Sequence, residues 1–189
     1  MKVLLACEES QIVTEQFILK GHDAMSCDIK YPGAKGLPHY LGDVRDILHD
    51  LWDMIIAFPP CDFLANSGVR WLYEKPGRWE QLKKAAEFFN VFLNHPCEKI
   101  CVENPIQHKY ARELIRKYNQ IINPWQFGHT TKKKTCLWLK NLAPLIYTYE
   151  VPEYLKTNEI HKEPPGSERK KNRSRTFPGI AKAMAEQWG

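Results

Sequence analysis

The run Met54-Ile55-Ile56-Ala57-Phe58-Pro59-Pro60-Cys61 constrains this chain more than any other segment. It reads as a buried strand that stops at two prolines and delivers a cysteine. Proline has no backbone N–H and a fixed φ, so a β-ladder cannot continue past Pro59. Pro60 also holds Pro59 in extended backbone. The thiol of Cys61 is thereby set at the carboxyl end of a strand, where open α/β sheets bind their ligands. A cysteine in that position is either a small packing residue or a nucleophile, and residue type alone does not choose.

The pattern around this run alternates strands with helices. Lys2–Cys7, Ala24–Ile29, Trp52–Phe58 and Lys99–Val102 are short apolar runs of strand length. Ser10–Lys20 has helical spacing, with Ile12, Val13, Phe17 and Ile18 on its apolar side and Gly21 as its stop. Trp79–Leu93 is an amphipathic helix with Leu82, Ala85, Ala86, Phe89 and Leu93 on one face. Tyr110–Tyr118 and Ala181–Trp188 are further helices, and Gln120–Pro124 and Thr135–Leu139 are strands. A turn-rich stretch holds Pro32, Gly33, Gly36 and Pro38, and a short segment, Val44–Leu51, follows Gly42-Asp43. Strand–helix alternation of this kind predicts an α/β fold, a mostly parallel sheet covered by helices on both faces. At 189 residues the chain suits one domain with a full core.

Composition narrows the classes further. With 43% hydrophobic and 26% charged residues the chain reads as an ordinary globular protein. No apolar run approaches the roughly 20 residues that span a bilayer, so no membrane is expected. Six cysteines, mostly inside apolar runs, fit a reducing compartment such as the cytoplasm better than a disulfide framework. Cys97 and Cys101 form a C-x3-C pair without a second pair at finger spacing, so no metal site is expected. The net charge of +5 favours nucleotides or nucleic acid as partners. Residues 156–175 contain Pro164-Pro165-Gly166-Ser167 and the basic run Arg169–Arg175, with few apolar residues. They read as a mobile surface segment, either merely solvated or a phosphate-binding arm.

Polar groups recur where strands end. Glu8, Glu9 and Ser10 follow the first, Asp28 ends the second, and Asp43 follows the third segment. Cys61 follows the fourth and Glu103-Asn104 the fifth. One such acid is commonly a helix cap. Five in succession describe a polar rim along one edge of a sheet, where a cofactor and a reacting group lie. An acid after the second strand suits a ribose diol. The first turn lacks G-x-G-x-x-G, so a cofactor without a pyrophosphate fits best.

Phe58-Pro59-Pro60-Cys61 and Glu103-Asn104-Pro105, in this order and with a helix between them, resemble the Pro-Cys and Glu-Asn-Val motifs of the cytosine-C5 methyltransferase family. The form is a compact one, of the kind found in phages and mobile elements. The resemblance covers residues 1 to 140 and the last helix. It implies a Rossmann-like fold and S-adenosylmethionine as cofactor. Asp28 and Ile29 would then meet the ribose, Asp43 and Val44 the adenine, and Cys7, Glu8, Glu9, Ser10 and Pro59 the rest of the cofactor. It implies Cys61 as nucleophile, Glu103 on the ring N3 of the target and Asn104 as the residue fixing that loop, with Pro60 beside them. A phage-encoded member would work in the host cytoplasm.

The chain also departs from that pattern. Ala6-Cys7-Glu8-Glu9-Ser10 stands where the family has Phe-x-Gly-x-Gly. The Gln-x-Arg-x-Arg motif is missing, and Lys132-Lys133-Lys134 lies in that region, making Lys132 and Lys134 substrate candidates. Asn66, Ser67 and Arg70 are further candidates close after Cys61, or caps of the next helix. Arg173 and Arg175, before the last helix, are candidates for substrate phosphate. About thirty residues, 141–171, replace a target-recognition domain, fewer than the roughly fifty of even a small domain. Three targets stay open: DNA, read with low specificity or with a helper subunit or second copy; a free pyrimidine nucleotide; or no substrate at all, in a non-catalytic binding protein. Trp71, Trp79, Trp125 and Trp138 are expected in cores and sheet packing rather than as base-stacking platforms. His129 is a general base or a surface residue.

Overall fold

Alternation of apolar residues along the strands dictates the layering. In the computed structural model, which describes residues 1–32, 36–158 and 173–189, seven strands form one sheet. They are β1 (Lys2–Ala6), β2 (Asp23–Asp28), β3 (His39–Leu41), β4 (Met54–Ala57), β5 (Lys99–Pro105), β6 (Gln120–Ile122) and β7 (Thr135–Lys140). The order across the sheet is β3-β2-β1-β4-β5-β7-β6. Strands β1 to β5 run parallel, and β7 lies antiparallel between β5 and β6. This order, with β7 as the reversed strand, is a Rossmann-like methyltransferase fold.

The two faces are separated by residue parity. Val3, Leu5, Met54, Ile56, Cys101, Leu137 and Leu139 point to one side, against Val13 and Phe17 of α1 (Ile12–Leu19) and Ile180, Ala181 and Met184 of α5 (Pro178–Trp188). Leu4, Ala6, Ile55, Ala57, Ile100, Val102 and Trp138 point to the other, against Leu82, Ala86, Phe89 and Phe92 of α3 (Arg78–Leu93). Two shorter helices, α2 (Trp71–Glu74) and α4 (Lys109–Leu114), flank α3. Three buried tryptophans place their indole N–H on carbonyls: Trp52 on Ile47, Trp138 on Arg116 and Trp188 on Ala143.

Several expectations are corrected. Asp43 follows a strand of three residues, His39–Leu41, for which no range was expected, and the short segment Val44–Leu51 opens with a single 3-10 turn, Val44–Asp46. Three residues ending in a parallel edge strand leave no periodicity to read. Strand β5 does not stop at Val102. Its pairing with β4 ends at Ala57↔Val102, while its pairing with β7 continues through Glu103, Asn104 and Pro105. The fourth helix ends at Leu114 rather than Tyr118. The Arg169–Lys171 run and Pro164–Ser167 lie outside the described residues.

Candidate active site

The double-proline stop and the longer β5 together build the site. Because β4 ends at Ala57, Glu103 and Asn104 overhang it, bonded to β7 on one side and open on the other. Asn104 uses that open side: its Nδ2 donates to the carbonyl of Pro59 at 2.8 Å, and its Oδ1 is buried with no partner among the described residues. Asn104 therefore fixes the Pro59-Pro60-Cys61 corner to β5.

The loop after Cys61 is tied down as well. Leu64 and Ala65 donate their N–H groups to the Cys61 carbonyl, and Asn66 donates to Ile106. His108, which sequence reasoning missed, serves two elements at once. Its Nδ1 accepts from the Ala111 N–H at the start of α4, and its Nε2 donates to the carbonyl of Phe63 at 2.9 Å. This pair of bonds requires a neutral ring, and burial holds its pKa below the ordinary value.

These elements border a cleft of about 2070 Å³ along the carboxyl edge of β1, β2, β4 and β5. Drug-sized pockets hold roughly 300–1,000 Å³, so there is space for two ligands side by side. Every candidate residue named from the sequence lines this cleft except His129 and Arg70, the latter with its guanidinium 4.2 Å over the Trp71 ring.

In the half of the cleft formed by β1 and β2, the acids differ in what they have left to offer. Among the described residues Asp28 accepts one bond, from the Lys30 N–H, and its carboxyl lines the cleft. Burial raises its pKa. Beside it Ile29 is 76% exposed, an apolar side chain without cover. Asp43 is more heavily engaged: it accepts from the Arg45 backbone N–H and from the Arg45 guanidinium at both oxygens. Those bonds lower its pKa to about 2. Glu9 is paired with Lys30 at 3.2 Å.

Glu8 is a different case. It is 3% exposed, and its carboxylate accepts from the N–H groups of Val13 and Thr14 and the Thr14 hydroxyl, at 2.6, 3.1 and 2.6 Å. It closes the first turn of α1 from outside, so its oxygens are not offered to a ligand. The same turn holds Cys7 at φ 60° and Gln11 at φ 54°. Two non-glycine residues in the left-handed region cost about 1 kcal/mol or more each.

In the other half, Cys61, Glu103 and Lys133 act on one another. Burial raises the pKa of the Cys61 thiol, followed by the charges of Asp62 and Glu103, and Lys133 lowers it. Burial likewise raises Glu103, against Lys133 and a hydrogen bond from Thr135. Lys133 donates to the Arg173 carbonyl at 2.6 Å, joining the start of β7 to the segment before α5. Sequence reasoning chose Lys132 and Lys134 and passed over Lys133. Two-residue periodicity carried back from Thr135 puts Lys133 on the Thr135 side. Lys132 reaches the cleft edge and pairs with Glu153 at 2.5 Å. His129 lies elsewhere: its Nε2 accepts from Gly179 N–H at 2.8 Å, at the start of α5.

The fold and this cleft together define a Rossmann-like methyltransferase fold with a cysteine and an acid at the ends of adjacent strands. No family model and no curated protein matches the chain. Among solved structures it is similar to an E. coli prophage protein described as a DNA modification methyltransferase, at 17% identity and a TM-score of 0.43. That match covers 72% of this chain and 45% of the other. It is also similar to the Dnmt2 methyltransferase of S. pombe, at 16% identity and a TM-score of 0.45, over 88% of this chain and 56% of the other. The chain spans about half the length of these two proteins.

Proposed function

We propose that the protein transfers a methyl group from S-adenosylmethionine to carbon 5 of cytosine in DNA. The observation that carries this reading is the overhang of β5. It holds Glu103 beside Cys61 at one end of the cleft, with Asn104 bracing the corner that presents the thiol.

The cofactor half suits a nucleoside. Asp28 has free lone pairs for a ribose diol, and Ile29 and Val44 supply apolar cover for a flat ring. Asp43 keeps little acceptor capacity beyond Arg45, so an exocyclic amine that donates to it shares its oxygens with the Arg45 guanidinium. Glu8 holds no ligand; Ser10 and the strained turn around it do. When bound, S-adenosylmethionine supplies an electrophilic methyl group.

The chain's own residues make carbon 5 able to accept it. Cys61 gives its proton to water and its sulfur adds to carbon 6, forming an S–C bond while the C5–C6 π electrons move toward carbon 5. Protonated Glu103 donates a hydrogen bond to N3 and stabilises the charge that develops in the ring. Lys133 favours the thiolate. After methylation the carbon-5 proton leaves to water, the double bond re-forms and the S–C bond breaks, returning Cys61. A paired base cannot enter such a cleft, so the target reaches it unstacked.

The test is transfer of label from S-adenosyl-methionine carrying a tritiated methyl group to unmethylated DNA, and covalent trapping on DNA containing 5-fluorocytosine. Wild type is expected to give a complex stable to denaturation, and Cys61→Ala none. Absence of transfer by a wild type that binds the cofactor would refute the reading. A mononucleotide run in parallel separates the free-nucleotide alternative.

A further inference from the structure

Beside the cleft, α2, the first turn of α3 and α4 carry a cluster of rings that the reaction does not use. Trp79 and Tyr73 are 41% and 67% exposed. Trp79 lies 4.9 Å from Tyr110 and 5.7 Å from Tyr73, and the Tyr73 and Tyr110 hydroxyls are hydrogen-bonded to each other. The sequence expectation placed Trp79 in a core, but here the ring forms surface. Cations surround the cluster. Lys109 Nζ lies 4.6 Å over the Tyr110 ring. Toward the cleft, Trp71 carries Arg70 and Lys75 on its ring at 4.2 and 4.4 Å, and Trp71 and Arg78 both line the cleft wall.

Along α4 lies a second, smaller pocket of about 340 Å³. Lys109, Arg112 and Lys117 line it with Gln107, and Glu113 is its acid. Arg116, also in its wall, already donates to the carbonyls of Lys117 and Leu139 and to Asn119. Gln107 is 4% exposed, and its Nε2 has no hydrogen-bond partner among the described residues. A buried amide donor left unpaired costs about 1–3 kcal/mol, and the three cations that line the same pocket favour an anion there. Helix α2 carries both Trp71 of the cleft wall and Tyr73 of the ring cluster, and Lys109 belongs to both the cluster and this pocket.

We propose that this face binds the single DNA strand that flanks the target base. Unstacked bases rest on Tyr73, Trp79 and Tyr110, and a backbone phosphate occupies the pocket of Gln107, Lys109 and Arg112. Rings exposed on a surface stack only on bases whose faces are free, whereas a duplex buries those faces in its own stack. The cations supply the sequence-independent attraction for phosphate. This inference deepens the methyltransferase reading and rests on it for the direction of the strand, while the binding itself is measurable without any transfer.

The test is fluorescence anisotropy of the full chain with a short fluorescein-labelled single-stranded oligonucleotide and with the same sequence as a duplex. The single strand is expected to bind more tightly. Trp79→Ala is expected to weaken it by about tenfold, the scale of one lost base–ring stack. Tyr73→Ala acts in the same direction and serves should Trp79→Ala melt early. Arg112→Ala is expected to weaken binding and to lower the salt dependence by about one phosphate contact. S-adenosylmethionine binding by these variants is expected to match wild type. Equal or tighter duplex binding, or wild-type strand affinity in folded Trp79→Ala and Arg112→Ala, would overturn the proposal. Failure of the reaction itself shows differently, as intact strand binding with no label transferred.

Discussion

Cys61 rests as a thiol, because burial and two neighbouring acids disfavour its charge and outweigh Lys133 and a backbone hydrogen bond, which oppose them. Glu103 rests protonated more readily than an ordinary glutamate for the same first reason. The transfer rate is therefore expected to rise with pH as the thiol ionises and to fall again as Glu103 loses its proton. Lys133 lowers both groups, so Lys133→Gln is expected to move both limbs of the kcat/KM profile to higher pH, which a pH series on wild type and variant checks. The positions of Cys61, Glu103 and Asn104 at strand ends follow from local sequence. Their electrostatics do not, because Lys133 reaches them across a turn some seventy residues from Cys61 in the chain.

Element by element, the parity of the strands and the apolar stripes of α1, α3 and α5 are legible in the sequence. The close approach at the start of α5 was not. A Cβ on Gly179 would strike the carbonyl oxygen of Phe127 and lie 2.8 Å from His129 Nε2. Both are fixed groups, the second being the acceptor for the Gly179 N–H. Gly179→Ala is thus expected to lower stability by about 1–3 kcal/mol, the usual penalty of overpacking, read as a fall in Tm. Strand β3 and the overhang of β5 also escaped sequence reasoning. A three-residue strand has no period, and where a strand stops pairing depends on the length of its neighbour.

At the scale of the whole molecule, ligand and pH act on the same stability. A saturating nucleoside cofactor at about 100 times its Kd adds ~2.7 kcal/mol, about 5–10 °C in Tm for a chain of this size. Asp28→Ala is expected to remove most of that shift while Cys61→Ala keeps it, as a thermal-shift titration would show. His22, His39, His108 and His129 are each held below the ordinary histidine pKa by burial. Their unfolded forms take up protons first, so the stability they contribute is complete above about pH 6.5 and is lost as the pH falls below it. Glu8 and Glu103, held above the ordinary carboxyl value, act in the opposite sense. His108→Gln, neutral throughout, is therefore expected to lose less stability than wild type on acidification from about pH 7 to about pH 5, measured by denaturant midpoints. From the sequence alone came the strand–helix alternation, the proline stop before Cys61 and the rim of acids along one sheet edge. All of these are local patterns. Only the tertiary structure decided which polar groups remain open to a ligand: Asp28 does, Glu8 is spent on α1, and the Gln107 Nε2 has no partner among the described residues, in the wall of a pocket with three cations. Hydrogen bonds are allotted among residues distant in the chain, and local sequence carries no record of that competition.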